Sequence, residues 1–237
     1  IFMFKHNKKL LRDVKVEKPN PQYAVLMQEQ LGGCNGEVKA AMQYISQSFR
    51  AQDPGIKDLL LDIGAEELSH MEMVAQTINL LNGHEVDYTQ VKAGELETMV
   101  TFGLNPALVN SSGNPWTADY VTVTGDLAAD LLADIASEQR AKVVYEYLYR
   151  QIDDKYVKET IFFLLEREEA HNALLCEALN KYTQEEGSNI NFGVSEDSRL
   201  YFDLSKPGRF FDNPDPKAPK FENAKEKSCC NKKKKSK

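Results

Sequence analysis

No stretch of this chain approaches the roughly 20 consecutive apolar residues that a membrane span requires, and the basic segment Ile1 to Lys18 has no apolar core of the signal-peptide kind. Both absences predict a globular, cytoplasmic protein with no membrane span. Cysteine is scarce: Cys34 and Cys176 fall inside helical patterns, and Cys229 and Cys230 are adjacent in a polar tail. Four such residues in 237 are too few for a disulfide scaffold, which points to a reducing compartment. There is no Cys-x-x-C pair and no glycine-rich nucleotide motif, so neither a rubredoxin-like electron carrier nor a bound dinucleotide is expected. Positive charge is sparse outside the ends. The net charge is -7, with basic clusters at Lys5 to Lys18 and Lys225 to Lys237 around an acidic middle, which argues against nucleic acid as a partner and makes the C-terminal lysines a solvated tail.

What the chain does have is helical periodicity, and 42% hydrophobic residues is enough for a sizeable core. Four long stretches carry it. The first runs from Pro21, after Asn20, to Ala51, and the turn Asp53-Pro54-Gly55 leads into a second that stops at Asn82-Gly83. The third starts near Gly125-Asp126 and runs to Ile152; Asp153-Asp154 joins it to a fourth that ends around Glu186-Gly187. Two helical hairpins are therefore separated by a breaker-rich segment, His84 to Thr124, too long for a simple turn. Short link, long crossover, short link is the order of an all-α, ferritin-like four-helix bundle. The expected organisation is a basic segment over 1–20, the bundle over 21–186, an extended aromatic and proline-rich arm over 187–224, and a lysine-rich tail over 225–237. The arm's regularly spaced aromatics need a covering surface, either the bundle or a neighbouring subunit.

Polar residues interrupt the apolar seams at corresponding places. In the fourth stretch Val157, Ile161, Leu164, Glu168, His171 and Leu175 share one stripe; in the second, Leu60, Ile63, Glu67, His70, Val74 and Leu81 do. The third places Glu138 with Leu131, Ala141, Tyr145 and Ile152, and the first places Glu37 with Leu26, Ala40 and Tyr44. Glu37 to Glu67 and Glu138 to Glu168 are both 30 residues, and each first glutamate has a tyrosine seven residues on, so the pattern is internally duplicated. Four carboxylates and two imidazoles in a low-dielectric core are prohibitive as bare charges. Two divalent metal ions offset them, bridged by carboxylates and completed by imidazole nitrogens, which is the ligand pattern of di-iron and di-manganese bundles. One Glu-x-x-His is a weak signal; two on equivalent core seams are not. Gly32 and Gly33 inside the first stretch cost about 1 kcal/mol each against alanine and predict close packing or a local break near Glu37.

These residues resemble the manganese catalases, in particular the spore-coat-associated branch. The motifs in order are Gly36-Glu37 with Ala41-Met42-Gln43-Tyr44, Asp62 to His70, Asp134 to Glu138 with Tyr145, and Arg167-Glu168-Glu169-Ala170-His171. The resemblance implies that Glu37 and His70 ligate one manganese, that Glu138 and His171 ligate the other, and that Glu67 bridges them. It implies further that Glu168 is a catalytic base outside the metal shell and that Tyr44 supports the site. The implied reaction is disproportionation of hydrogen peroxide to dioxygen and water by a homo-oligomer, commonly a hexamer whose arm wraps its neighbours. Some members carry an arginine just before the third-helix glutamate; here that position is Ser137, and Arg140 or Lys142 is the expected substitute. Positions matching a calcium site of some members are Asp58, Asp62, Asp203 and Ser205, although Lys206-Pro207-Gly208 is one residue longer than the pattern. Carboxylate and imidazole alone do not choose manganese over iron, so a di-iron oxidase or peroxidase is the alternative enzyme, and a structural spore-coat protein the alternative without chemistry.

Overall fold

The structure, a computed structural model, describes residues 9–83 and 105–185. Five α-helices form among them: α1 Pro21–Gly32, α2 Glu37–Ser48, α3 Pro54–Asn82, α4 Leu127–Gln151 and α5 Lys155–Glu185. Their ends follow from capping chemistry. The side chain of Asn20 accepts from the amides of Gln22 and Tyr23, with Pro21 at the first helical position. Asp53 caps α3 in the same way through Ile56 N, Asp126 caps α4 through Ala129 N, and Asp154 accepts from Val157 N at the start of α5. Gly83, with a φ of 56°, ends α3 in the left-handed region that glycine adopts without a Cβ penalty.

Helices α1 and α2 pack along α3, and α4 packs along α5, so the two hairpins read from the sequence are present, with the crossover between them. One apolar core includes Met27, Leu31, Met73, Ile78, Leu81, Tyr145, Ile152, Ile161 and Leu164; a second, toward the other end of the bundle, includes Tyr44, Ile56, Leu60, Leu131, Leu175 and Leu179. The crossover's described part, 105–124, carries an isolated bridge between Val109 and Pro115 and a 3-10 turn, Ala118–Tyr120. Residues 1–8, 84–104 and 186–237, and with them the expected aromatic arm and lysine tail, lie outside the described residues.

The predicted first helix, Pro21 to Ala51, is corrected to two helices separated by residues 33–36. The crossover causes the interruption. Gln28 Nε2 donates to the carbonyls of Ala107 (2.7 Å) and Val109 (2.9 Å), and the carboxylate of Glu29 accepts from the amide and hydroxyl of Ser111. A Cβ on Gly32 would collide with the backbone of Val109. The break resets the helical phase, so Leu26, placed on the Glu37 stripe, is only half-buried, while Met27 and Leu31 are buried in its place. Its functional product is that Glu37 becomes the first residue of α2, where the helix dipole favours a carboxylate. Close approach recurs at Gly64, one turn before Glu67, where a Cβ would lie 2.7 Å from Cγ1 of Ile45. Glycine there lets α2 and α3 draw together beside the polar seam.

Candidate metal centre

The six seam residues converge. Glu37, Glu67, His70 and Glu168 form one group, and Glu67, Glu138 and His171 another; within each group, one ligand atom from every residue lies within 4.8 Å of the rest. Glu67 belongs to both, as a bridging carboxylate must. Glu67, His70 and His171 are 0% exposed, Glu138 1%, Glu168 2% and Glu37 3%, so no ligand is shared with bulk solvent. The two imidazole rings stack with centroids 5.6 Å apart. Each turns Nδ1 toward the carboxylates: His70 Nδ1 lies 3.2 Å from Glu67 Oε2 and 3.7 Å from Glu37 Oε2, while His171 Nδ1 lies 2.7 Å from Glu67 Oε1 and 4.0 Å from Glu138 Oε2.

Burial and crowding drive protons onto this cluster. Burial, then the charge of Glu67, pushes the Glu37 carboxyl up to about 8, and the same causes raise Glu138. Burial with the neighbouring Glu138, Glu67 and Glu37 carries Glu168 well above the carboxylate range. Burial disfavours the charged imidazoles, yet Glu37, Glu66 and Glu67 raise His70 well above its usual value, and Glu66 and Glu67 bring His171 to about 9. Burial also works against the Glu67 carboxylate, but contacts from His171 and His70 outweigh it and hold its pKa low. Buried Glu67 Oε1, Glu138 Oε2, Glu168 Oε1 and His171 Nδ1 have no directed hydrogen bond. Lone pairs that converge without hydrogen bonds, on carboxylate and imidazole groups, are the donor set of a pair of divalent cations, so the residues fit two metal ions.

The tyrosines reach across the molecule. Tyr44 of α2 donates to Glu138 Oε1 on α4, and Tyr145 of α4 donates to Glu37 Oε1 on α2. Seven residues along one helix is about 10 Å, too far for either to serve its own glutamate. Both hydroxyls are buried, and burial together with the adjacent carboxylate raises each well above the ordinary phenol range.

Two site residues were not read from the sequence. Glu66, 27% exposed, places Oε1 3.4 Å from His70 Nε2 and Oε2 3.2 Å from His171 Nε2, so one carboxylate backs both imidazoles. These are charge contacts off the ring N–H axes rather than directed hydrogen bonds. Arg167 holds Glu66 as a fork, with Nε 2.6 Å from Oε1 and Nη2 3.3 Å from Oε2. The two histidines, then Arg167, keep the Glu66 carboxyl far below its usual value. The second is Lys39, 3% exposed on α2, whose Nζ donates to Ser137 Oγ at 2.7 Å. The expected substitutes at Ser137 are corrected by geometry: Arg140 is exposed and donates to Asn35, and Lys142 pairs with the exposed Glu169. Asp58 and Asp62 lie exposed on α3, and Asp203 and Ser205 are outside the described residues.

Residues 3–207 match the family described as manganese containing catalase. Over 223 residues the chain is 70% identical to a probable manganese catalase of Clostridium acetobutylicum, covering 93% of this chain and 99% of that protein. It is 36% identical to the Bacillus subtilis protein CotJC, covering 77% of this chain and 96% of that one. The crystal structure of wild-type KatB, a manganese catalase from Anabaena, superposes with a TM-score of 0.75 at 36% identity, covering 86% of this chain and 92% of that one.

Proposed function

The chain belongs to the manganese-containing catalases, and from that premise we propose that its buried seam holds two manganese ions and converts two molecules of hydrogen peroxide to dioxygen and two of water. The single observation that carries the assignment is the pair of groups sharing Glu67, each with its own histidine and its own terminal glutamate. A structural descendant has no use for six buried ionisable groups that cost stability unless metal is bound. Peroxide disproportionation needs no external reductant, in keeping with a sequence that has no Cys-x-x-C pair of the rubredoxin kind.

Bound manganese supplies the two-electron redox change. The protein's own contribution is holding and moving protons. Glu37 with His70 and Glu138 with His171 would hold the two ions, with Glu67 common to both groups. Glu168, whose Oε1 has no hydrogen-bond partner and whose proton affinity is raised by burial and the neighbouring carboxylates, stands beside the shared site as the general base and then acid. It takes a proton from one oxygen of peroxide and returns it to an oxygen leaving as water, so no net proton crosses to solvent. Tyr44 and Tyr145 keep the terminal glutamates oriented, and Glu66 with Arg167 keeps both rings turned inward. The surrounding apolar residues exclude water and strengthen each of these contacts.

We extend the proposal to a homo-oligomer, commonly a hexamer in this family, with calcium at Asp58 and Asp62 closed by Asp203 and Ser205. The proposal places the chain in the cytoplasm or a spore layer, the latter in keeping with its likeness to CotJC; among the described residues, no helix is long and apolar enough to cross a membrane. The deciding experiment measures manganese content and oxygen release together. The expected result is two manganese per chain and oxygen evolved from peroxide, with Glu168→Gln retaining both ions while kcat falls about 10²- to 10⁴-fold. Iron in place of manganese, no oxygen, or a fully active Glu168→Gln protein refutes the assignment.

A further inference from the structure

Lys39, 3% exposed, is a buried cation that takes no part in the reaction. Lys39 lies two residues after Glu37, and its ammonium rests on the hydroxyl of Ser137, one residue before Glu138. A buried ammonium on a neutral hydroxyl does not recover its hydration from that bond alone. The groups that act on it electrostatically are Asp134, Glu138 and Arg140 from α4, and Cys34 from the turn before α2. Asp134, 0% exposed, accepts a hydrogen bond from the neutral side-chain amide of Gln43, at 2.7 Å.

The charges of the compartment can be counted. Glu37, Glu67, Glu138, Glu168 and Asp134 are five buried carboxyl groups. Glu66 is matched by Arg167, and imidazoles that bind metal are neutral. Two divalent ions supply four positive charges, one fewer than full ionisation of the five carboxyls needs. The chain's repeat adds a comparison: Glu37 and Glu138 are 101 residues apart, as are Glu67 and Glu168, and by that offset the counterpart of Lys39 is Arg140. Arg140 is exposed and donates to Asn35. The extra cation is therefore buried on one side only, at the seam between α2 and α4, away from the α3 and α5 edge where Glu66 backs the histidines.

We propose that Lys39, anchored by Ser137, is the fifth positive charge of the metal compartment and sets the affinity of the centre for anions and its balance between divalent and trivalent manganese. The inference rests on the manganese reading above. Lys39 touches no ligand and is a positioning and field residue, not a catalytic one. Removing its charge leaves the compartment more negative, so anions bind more weakly and the trivalent state is favoured.

The test uses the manganese-loaded full chain with azide as a monoanionic probe, read by optical titration, and the resting fraction of trivalent manganese read from its visible absorption. Lys39→Gln keeps a donor for Ser137 and removes the charge; Lys39→Arg keeps the charge. The expected result is unchanged manganese content in both, an azide dissociation constant about tenfold higher and more trivalent metal in Lys39→Gln, and values within about twofold of the unsubstituted protein in Lys39→Arg. Unchanged azide affinity and oxidation state in a folded, fully loaded Lys39→Gln overturns the proposal. If Lys39→Gln does not fold, Ser137→Ala, which releases the ammonium without deleting it, should weaken azide about threefold, and no change there overturns the proposal equally. An unsubstituted protein that takes up no manganese refutes the catalase reading instead, which keeps the two failures distinct.

Discussion

Replacing Glu66 by glutamine should make the two metal ions unequal. The substitution keeps size and shape but leaves one carbonyl oxygen and one amide group where two carboxylate oxygens stood. Arg167 decides which way the amide turns, because its closer contact is Nε to Oε1 at 2.6 Å, while Nη2 stands 3.3 Å from Oε2. The carbonyl oxygen takes the Oε1 place, facing Arg167 Nε and His70 Nε2. The amide group then faces His171 Nε2, so a donor meets a donor. A full unit charge at 3.2 to 3.4 Å is worth about 5 kcal/mol at an effective dielectric near 20. The ring N–H of a metal-bound imidazole carries only part of a charge, and Glu66 is 27% exposed, which reduces the loss to roughly 1.5 to 3 kcal/mol, or about 10- to 100-fold in affinity. The Glu138 and His171 ion should therefore dissociate about 10- to 100-fold more readily, while the Glu37 and His70 ion is held nearly as before. Manganese retained after graded exposure to a chelator, measured per chain, should show a plateau at one ion in Glu66→Gln and at two in the parent. Parallel loss of both ions, or no loss, would refute the argument from orientation.

Two further outcomes follow from the same contacts. Tyr145→Phe removes the hydroxyl from Glu37 and leaves a buried carboxylate oxygen without its donor, which costs about 1 to 3 kcal/mol; the chelator assay should show the Glu37 and His70 ion weakened, opposite to Glu66→Gln. Metal removal should also make stability depend on pH. Glu37 at about 8 and His171 at about 9 both lie above their unfolded values of 4.5 and 6.5, so the metal-free native state binds more protons than the unfolded chain. Their stabilisation is complete below the unfolded values and is lost as pH rises through about 8 to 9. For His171 alone the loss is about 3 kcal/mol, so the chelated protein should melt roughly 5 to 10 °C lower at pH 9.5 than at pH 6. A chelated protein that gains stability over that range contradicts the protonation scheme.

Most of the architecture was legible because its signals are local. Caps at Asn20, Asp53 and Asp126 and the stop at Gly83 depend on neighbours in sequence, and the buried stripe of α5, Val157 to Leu175, is where its period places it. The break before Glu37 was only half legible: two glycines advertised weak helix, but the wedge is the Gln28 and Val109 contact with the crossover, some 80 residues away. Glu66 is inconspicuous in the sequence because it lies off the apolar seam, among the acidic residues of α3. A signal existed, since the two repeats carry Glu66 and Arg167 at equivalent positions, and opposite charges there meet across the pseudo-two-fold relation. Lys39 carried no such signal. A lysine in a helix is ordinarily solvated, and only the opposing hydroxyl of Ser137 shows that this one is enclosed.

The crossed tyrosines bear on how such a centre assembles. Each hairpin owns a terminal glutamate but borrows the hydroxyl that steadies it, so neither half is a finished site for one ion, and hairpin docking and ligand ordering are a single event. One hairpin docked on an identical twin would satisfy both crossed bonds with a single sequence, so the chain encodes in tandem the contacts of a self-docking homodimer. What tandem linkage adds is freedom to differ. The seam residues Glu37 and Glu138, Glu67 and Glu168, His70 and His171 repeat, while Glu66 against Arg167 and Lys39 against Arg140 do not. Two ions with matching donors are thereby given different surroundings, which a true homodimer could not do.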